Sequence, residues 1–255
     1  MITDKNILSR AAFGYVLGAF CANNIICGFS TREFNYDLRA VSSPLAKQEI
    51  LRNRQNLFES LSLNIHKSVF MEQVHEAKIK TISNAEQGMG ACDYESSITQ
   101  TDAVITSLSE TPLCMLSADC FPLVFWHPSE SVIGIAHAGW RGLKERIAFK
   151  TAIRLQKTYK CPPGKIKVFV APGIRVCCYE VNSGLQQYFP NFIFRSKDRF
   201  YLDLIKVTFS QLSEAGIAKE NIIDSALCTK CNKTDLFSFR GQDQKNRMLS
   251  FVALK

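Results

Sequence analysis

Short apolar runs alternate with polar turns along most of the chain, and the spacing within each run indicates its structure. Four runs between residues 103 and 136 are almost continuously apolar, which is typical of strands in a sheet covered on both faces. In the segment 43–63, apolar residues recur at roughly helical spacing, and Pro44 suits a first helical turn. Helices are predicted at 43–63, 143–159, 181–189 and 202–215. Strands are predicted at 13–20, 24–30, 68–71, 79–82, 103–106, 112–116, 123–126, 131–136, 165–170, 222–223, 236–239 and 249–254.

Strands and helices mix along the chain without a strict strand–helix–strand alternation. This order predicts an α/β or α+β fold built on a mixed β-sheet. A chain of 255 residues is long enough for one large domain or two small ones. Because no Pro/Gly/Ser-rich linker divides it, we predict a single domain over residues 1–255.

The net charge of +8 has two interpretations. A basic surface attracts anions such as phosphate, nucleotides or nucleic acid, or the charge is simply dispersed over the surface. Lysines and arginines are spread along the chain, with no dense basic block and no RNA-binding signature. We therefore expect no nucleic-acid partner, while the oligomeric state stays open.

Cysteine usage and the N-terminal segment bear on the cellular compartment. Ten cysteines in a chain of this length are too sparse for a secreted disulfide framework, so reduced thiols and a cytoplasmic location are expected. The apolar segment 11–21 follows Arg10 and could pass for a signal-peptide core. Asp4 and the poor cleavage site at its end argue against that interpretation. No run is long enough to span a bilayer, so no membrane partner is expected.

Candidate chemistry gathers in residues 117–122 (Ser-Ala-Asp-Cys-Phe-Pro) and 136–142 (Ala-His-Ala-Gly-Trp-Arg-Gly). Cys120 and His137 each lie at a strand end, and strand ends that share a sheet edge bring such side chains together. With His75 upstream they make a plausible three-ligand zinc site with one open position, as in catalytic zinc sites. The chain has only four histidines, yet each residue alone could equally be structural.

Arg141 lies between two glycines in a turn that would open the helix at Leu143. A helix N-terminus and a guanidinium both bind phosphate, so Arg141 is a candidate phosphate contact, unless it is a solvated turn residue. Asp119, beside Cys120, could orient a metal ligand or cap a turn.

Two cysteine pairs have weaker interpretations. Cys177 and Cys178 are adjacent, and adjacent cysteines are poor chelators of one ion, so they indicate packing. Cys228 and Cys231 have Cys-x-x-Cys spacing, but no second such pair or histidine pair follows them, which does not favour structural zinc.

Several segments resemble, in order, the bacterial YfiH family of purine nucleoside phosphorylases, once labelled polyphenol oxidases or laccases. They are Glu-Gln-Val-His at 72–75, Thr-Asp-Ala at 101–103, the two motifs at 117–122 and 137–142, Ala-Pro-Gly-Ile at 171–174, Cys-Cys-Tyr-Glu-Val at 177–181, Phe-Ser-Phe-Arg at 237–240 and Arg-Met-Leu-Ser at 247–250. The resemblance covers about 26–254.

The resemblance implies a layered α-β sandwich on a mixed sheet, similar to a cysteine-hydrolase-like fold. It implies Zn²⁺ bound by His75, Cys120 and His137, phosphorolysis of adenosine, inosine, guanosine and methylthioadenosine, and adenosine deamination. Purine nucleoside and phosphate are then the partners. One departure is that residues 30–38 lack the glycine-rich loop of the family pattern. Arg32 and Asn35 in this segment are candidates for contacts with substrate or with the metal ligands.

Three enzymatic hypotheses use the same residues. The first is the zinc-dependent nucleoside enzyme, with Cys120, His137 and Arg141 as its catalytic residues. The second is a copper phenol oxidase, which the shortage of histidines disfavours, because multicopper sites need a histidine-rich cluster. The third is a metal-free cysteine hydrolase with Cys120 as nucleophile and His137 as base. A non-enzymatic binding domain would leave the motifs unexplained.

Overall fold

The computed structural model describes residues 8–11, 14–17, 24–41 and 43–255. In these ranges the helices are α1 (Pro44–Ser60), α2 (Trp140–Lys144), α3 (Ile147–Tyr159) and α4 (Leu204–Glu214). The strands are β1 (Leu8–Ala11), β2 (Gly14–Leu17), β3 (Ile25–Ser30), β4 (Val69–Phe70), β5 (Ile79–Thr81), β6 (Ala103–Thr106), β7 (Leu113–Ser117), β8 (Phe121–His127), β9 (Val132–Ala138), β10 (Lys167–Val170), β11 (Glu180–Val181), β12 (Ile193–Ser196), β13 (Arg199–Leu202), β14 (Ile222–Asp224) and β15 (Met248–Leu254).

The strands form two large sheets and one small one within the described ranges. Sheet I has the order β1-β2-β3-β15-β7-β4, and sheet II has the order β14-β10-β8-β9-β6-β5. Most neighbours are antiparallel, but β4–β7, β5–β6 and β10–β14 pair in parallel. The third sheet, β11-β13-β12, is antiparallel. The prediction of an α+β fold with mixed sheet is therefore confirmed.

The layers follow from the alternation of side chains along each strand. On β8, Leu123 and Phe125 pack with the buried faces of α3 and α4, whereas Val124 and Trp126 pack with residues of sheet I. The far face of sheet I contributes a third cluster with Phe58 and other residues of α1. Helices thus cover the outer faces of two stacked sheets, so the central strands are buried on both faces and read as continuous apolar runs.

Helix α1 begins where the sequence indicated. The Ser43 hydroxyl accepts the Ala46 N–H, and Pro44 occupies the first turn, where its missing N–H costs no helical bond. The buried guanidinium of Arg54 donates to the backbone carbonyls of Tyr36, Gly90 and Ala91. These bonds fasten the helix to the loops around sheet I.

The helix predicted at 143–159 is two helices, and this corrects the prediction. Arg146 has a left-handed backbone with φ of +65°, which ends α2 and lets α3 start in a new direction. α2 is held by a close approach to the loop after β4: a Cβ added to Gly142 would lie 2.9 Å from the Glu76 carbonyl oxygen. The missing side chain at this glycine therefore lets α2 pack directly against that loop.

Two further predictions are wrong. The helix at 181–189 is replaced by β11, paired with β13, and a 3₁₀ helix at Ser183–Gln187. The segment 236–239 is not a strand: the Leu236 N–H donates to the Asn232 carbonyl and the Ser238 N–H donates to the Asp243 carboxylate, so neither pairs with a sheet neighbour. Of the predicted strand 13–20, residues 14–17 form β2, and residues 12–13 and 18–21 of the apolar segment 11–21 lie outside the described residues. Among the described helices, none is long and apolar enough to cross a bilayer.

Candidate active site

Cys120 lies in the short connection between the two large sheets. β7 of sheet I ends at Ser117 and β8 of sheet II begins at Phe121, and the chain turns at Asp119, whose φ is +94°. Antiparallel pairing of Pro122 with His137 then places Cys120 beside the end of β9. The thiol and the imidazole thus meet because one strand starts where its partner ends, and not because adjacent strands end at one edge as predicted.

His75 joins them from the loop after β4. Its backbone is also left-handed, with φ of +65°, and its ring lies edge-on to that of His137 with centroids 4.7 Å apart. The ligand atoms of His75, Cys120 and His137 all lie within 4.8 Å of one another. His137 is buried, Cys120 is half-buried and His75 is exposed, so these three donors could hold a metal ion with one side open to a ligand.

Asp102 organises this group, and the sequence interpretation did not assign it a role. It is fully buried, and its carboxylate accepts the backbone N–H groups of His75 and Glu76 at 3.0 and 2.9 Å. His137 Nδ1 lies 2.8 Å from it and is the donor, because a carboxylate only accepts. Burial raises the pKa of Asp102, but these hydrogen bonds lower it by a larger amount. The net shift is downward, so the carboxyl group is ionised. The sequence signal that could have pointed to Asp102 was the Thr-Asp-Ala segment at 101–103, which leads into β6.

Gly139 provides the space in which the thiol sits. A Cβ added there would lie 2.8 Å from Cys120 Sγ and 3.7 Å from His75 Cδ2. Contacts under 3.0 Å essentially never occur for real Cβ atoms, so any larger residue would displace the sulfur. The His-Ala-Gly sequence at 137–139 therefore supplies both a ligand and the room for its neighbour.

The thiol and the imidazole stabilise each other's charged forms. Burial raises the pKa of Cys120, but the charge and hydrogen bonds of His137, together with His75, lower it to about 6. Burial lowers the pKa of His137, but the Cys120 thiolate and Asp102 raise it to about 9. Each charged form therefore favours the other, and the thiolate is the form that binds metals. Metal binding would release the imidazole proton.

Substitution of Asp102 by asparagine is expected to weaken metal retention about 10- to 100-fold, because the imidazole would lose the carboxylate that fixes its tautomer. The measurement is a competition titration with a chelator, with circular dichroism to verify the fold. The control is Asp93→Asn, which changes an aspartate that is about half exposed and whose carboxylate pairs with Lys47. Equal metal affinity in the two variants would contradict the role of Asp102.

The three donors face a cavity of about 380 Å³, which lies in the usual range for small-molecule sites. Its walls carry four arginines, three aromatic rings and the buried hydroxyl of Ser117, which has no hydrogen-bond partner among the described residues. The arginines are Arg39, Arg141, Arg240 and Arg247, and the aromatic residues are Trp140, Tyr179 and Phe239. The site therefore combines metal-binding donors with strong positive charge.

Each arginine is held by a neighbour. Arg39 forms a two-pronged ion pair with Asp37, in the segment that lacks the family's glycine loop. Arg240 lies over the Tyr179 ring and donates to the Glu180 carbonyl.

Arg141 belongs to the first turn of α2, whereas the sequence predicted that it precedes a helix beginning at Leu143. Its guanidinium lies 4.5 Å from the centroid of the Trp140 ring, and it faces the cavity. Arg141 therefore stays a candidate anion contact, through its side chain at the cavity wall.

Asp119 lines the cavity, but its carboxylate is engaged by loops and not by the metal ligands. It accepts the hydroxyls of Thr229 and Ser238 at 2.6 and 2.7 Å and the Arg240 N–H at 2.7 Å. Of the two roles predicted for it, orienting a ligand or capping a turn, these bonds resemble the second. Asp119 thereby positions Arg240 at the cavity wall.

Arg32 and Asn35 do not line this cavity. Arg32 pairs with Asp243, and Asn35 accepts the backbone N–H of Arg247 at 3.0 Å. Asn35 Oδ1 also accepts the backbone N–H of Asp37, so Asn35 bears on the cavity through the positions of Arg247 and of the Asp37–Arg39 pair.

Comparison with known proteins identifies the family. A family model described as multi-copper polyphenol oxidoreductase laccase matches residues 26–255. The chain belongs to this family.

Relatives within this family carry nucleoside-related names. The chain is 32% identical over 216 residues to the purine nucleoside phosphorylase YlmD of Geobacillus stearothermophilus, covering 81% of this chain and 79% of the relative. It is 26% identical over 200 residues to adenosine deaminase RL5 of an unknown prokaryotic organism, covering 75% and 76%. The crystal structure of a Bacillus licheniformis hypothetical protein YfiH superposes with a TM-score of 0.92 at 28% identity, covering 98% of this chain and 100% of that one.

The family description names a multi-copper enzyme, but this chain has too few grouped histidines to bind several copper ions. All four histidines of the sequence fall in described ranges. His127 Nδ1 accepts two backbone N–H groups, and His66 lies beside Cys92, so neither belongs to the group around Cys120. A histidine-rich copper cluster therefore cannot be assembled from the described residues.

Proposed function

We propose that this protein is a zinc-dependent purine nucleoside phosphorylase. It would act on adenosine, inosine, guanosine and methylthioadenosine, yielding the free base and the (methylthio)ribose 1-phosphate. The observation that carries the proposal is one cavity in which three metal-ligating side chains and four arginines face the same space. The names of the relatives support the same class of substrate.

The donors around Cys120 suit Zn²⁺. Zinc accepts both imidazole nitrogen and thiolate sulfur, and three protein ligands leave one position for a ligand. The Asp102–His137 pair matches the carboxylate–histidine arrangement found behind zinc ligands. When bound, the ion would supply Lewis-acid polarisation of an oxygen atom.

The remaining side chains divide the substrate between them. Arg141 and Arg247 would bind the phosphate, since a guanidinium donates two parallel hydrogen bonds to its oxygens. The aromatic rings of Trp140 and Tyr179 would pack against the purine. The unpartnered hydroxyl of Ser117 would bond to a substrate polar group. In the reaction the bond from ribose C1′ to the purine nitrogen breaks, a C1′–O bond to phosphate forms, and the departing base takes up a proton.

Adenosine deamination is a second candidate, which the relative named adenosine deaminase favours. Water would add at C6 of adenine, and ammonia would leave. The same cavity serves both reactions because each needs an activated oxygen beside a bound purine.

The test is to incubate metal-replete protein with adenosine, with and without phosphate, and to separate the products by chromatography. Adenine with ribose 1-phosphate, formed only when phosphate is present, supports phosphorolysis. Inosine formed without phosphate supports deamination. No turnover of adenosine under either condition would overturn both activities.

Substitution of Arg141 by glutamine is expected to lower kcat/KM for phosphate roughly 10- to 100-fold, the scale of losing a hydrogen bond to a charged group. Deamination, which uses no phosphate, should be nearly unchanged. The matched control is Lys144→Gln, which removes one positive charge from the same short helix but lies outside the cavity. Equal losses in both variants would point to a general charge effect and contradict a direct contact.

The two other hypotheses predict different results. A copper phenol oxidase would retain copper and oxidise phenols. A metal-free hydrolase would form a covalent adduct on Cys120 with His137 as base. Metal analysis, a phenol assay and mass spectrometry of trapped protein separate these cases.

We also place the protein in the cytoplasm, where the exposed thiols of Cys177 and Cys231 would stay reduced.

A further inference from the structure

Two cysteine pairs that are distant in the sequence meet next to the cavity. The sulfur atoms of Cys177, Cys178, Cys228 and Cys231 all lie within 4.8 Å of one another. The sequence interpretation assigned packing to the first pair, because adjacent cysteines are poor chelators, and did not favour zinc at the second, because no further ligand pair follows it. In the tertiary structure each pair supplies the two further sulfur atoms that a four-ligand site around the other pair would need. Cys177 and Cys231 are exposed, so a role in core packing does not explain them.

Backbone contacts hold the loops of both pairs together. Gly173 forms a parallel bridge with Cys228, and the Thr229 N–H donates to the Gly173 carbonyl at 3.1 Å. Next to this bridge, the Arg175 N–H points at Cys228 Sγ from 3.5 Å, as backbone amides do around metal-bound thiolates. The Arg175 side chain is fixed by a two-pronged ion pair with buried Asp224. These contacts preorganise the loop for a ligand.

The distances between sulfur atoms fit a tetrahedral metal better than a disulfide. Cys231 Sγ lies 3.7 Å from Cys177 Sγ and 3.4 Å from Cys178 Sγ. A disulfide needs about 2.05 Å. Four sulfurs at about 2.3 Å from zinc, arranged tetrahedrally, are about 3.8 Å from each other.

We propose that Cys177, Cys178, Cys228 and Cys231 bind a second Zn²⁺ ion, in a closed four-cysteine site with a structural role. Each thiol loses its proton to solvent on binding, and four thiolates fill the coordination sphere, which leaves no position for a substrate. This site is separate from the group around Cys120 and does not depend on the proposed reaction.

The position of the ion explains what it would stabilise. Tyr179, directly after Cys178, lines the cavity, and Thr229, directly after Cys228, donates to Asp119. The ion would therefore clamp together two loops that build one wall of the nucleoside site. Apart from the bridge at Gly173 these loops are short irregular segments, for which a metal replaces part of a hydrophobic core.

The experiment measures zinc per chain by mass spectrometry on full-length protein purified with reductant and without added metal. The wild type should hold two zinc ions, Cys177→Ser and Cys231→Ser one each, and Cys120→Ser one. The double variant Cys120→Ser/Cys231→Ser should hold none. Cys92→Ser, a partly exposed cysteine outside both groups, is the control and should keep two.

X-ray absorption on the Cys120→Ser variant covers the case in which a cluster variant fails to fold, since that variant leaves the four cysteines intact. Zinc with four sulfur neighbours at about 2.3 Å is the expected result. Fewer sulfur neighbours, a different metal, or a disulfide linking two of the four cysteines in the native protein would overturn the proposal. So would an unchanged zinc content in soluble Cys231→Ser protein. If Cys120→Ser lost zinc but the variants of the four-cysteine cluster did not, the four-cysteine site would be overturned and the zinc site at Cys120 would stand.

Discussion

Replacement of Cys120 by alanine is expected to reduce adenosine phosphorolysis at least about 1,000-fold. The reason is that the metal's Lewis-acid contribution is worth several kcal/mol, and each 1.36 kcal/mol is tenfold in rate. Removal of the thiolate leaves His75 and His137 as the only protein ligands of the group. Initial rates at saturating phosphate, with zinc analysis of the same sample, measure both effects.

The control for this prediction is Cys92→Ala, because Cys92 is a partly exposed thiol remote from the group around Cys120. It should retain zinc and full activity. A Cys120→Ala protein that lost the zinc of this group but kept its rate would show that this metal takes no part in turnover. If it held as much zinc as the wild type and lost activity, Cys120 would instead be a nucleophile.

Replacement of Asp119 by alanine is expected to destabilise the protein by about 3–5 kcal/mol. Three donors would lose their acceptor, and each unsatisfied buried group costs about 1–3 kcal/mol. The left-handed backbone at this residue, with φ of +94°, adds strain for alanine. For a chain of this size the melting temperature should fall by about 10 °C. Chemical denaturation gives the free energy of unfolding.

Asp119→Asn is the matched variant, because asparagine tolerates a left-handed backbone and keeps one carbonyl oxygen as acceptor. It should lie between the wild type and the alanine variant. Asp198→Ala changes a fully exposed aspartate and should leave the free energy of unfolding within about 0.5 kcal/mol of the wild type. Equal stability of Asp119→Ala and Asp198→Ala would contradict the bridging role of Asp119.

Much of the secondary structure could be predicted from local patterns. The central strands β6 to β9 are buried on both faces, so their apolar runs were unambiguous, and α1 carries its own start signals at Ser43 and Pro44. The failures lie where contacts between distant segments decide the structure. β11 pairs with β13 in place of the helix predicted at 181–189, and the Ser238 hydroxyl in the segment 236–239 donates to Asp119.

The sequence by itself determined the scarce chemistry: a thiol, two histidines and an arginine in motifs that resemble a nucleoside enzyme family. It also determined the mixed α+β composition. Those conclusions depend on residue type and short-range spacing, which the chain carries locally.

Only the tertiary structure decided which of these residues meet. Antiparallel pairing of β8 with β9 brought Cys120 to His137, and the buried carboxylate of Asp102 tied both histidines to it. The tertiary structure also brought together the cysteine pairs at 177–178 and 228–231. It placed four arginines from separate segments around one cavity. Contacts between segments 50 or more residues apart depend on sheet register and loop closure, and neither is encoded in any single motif.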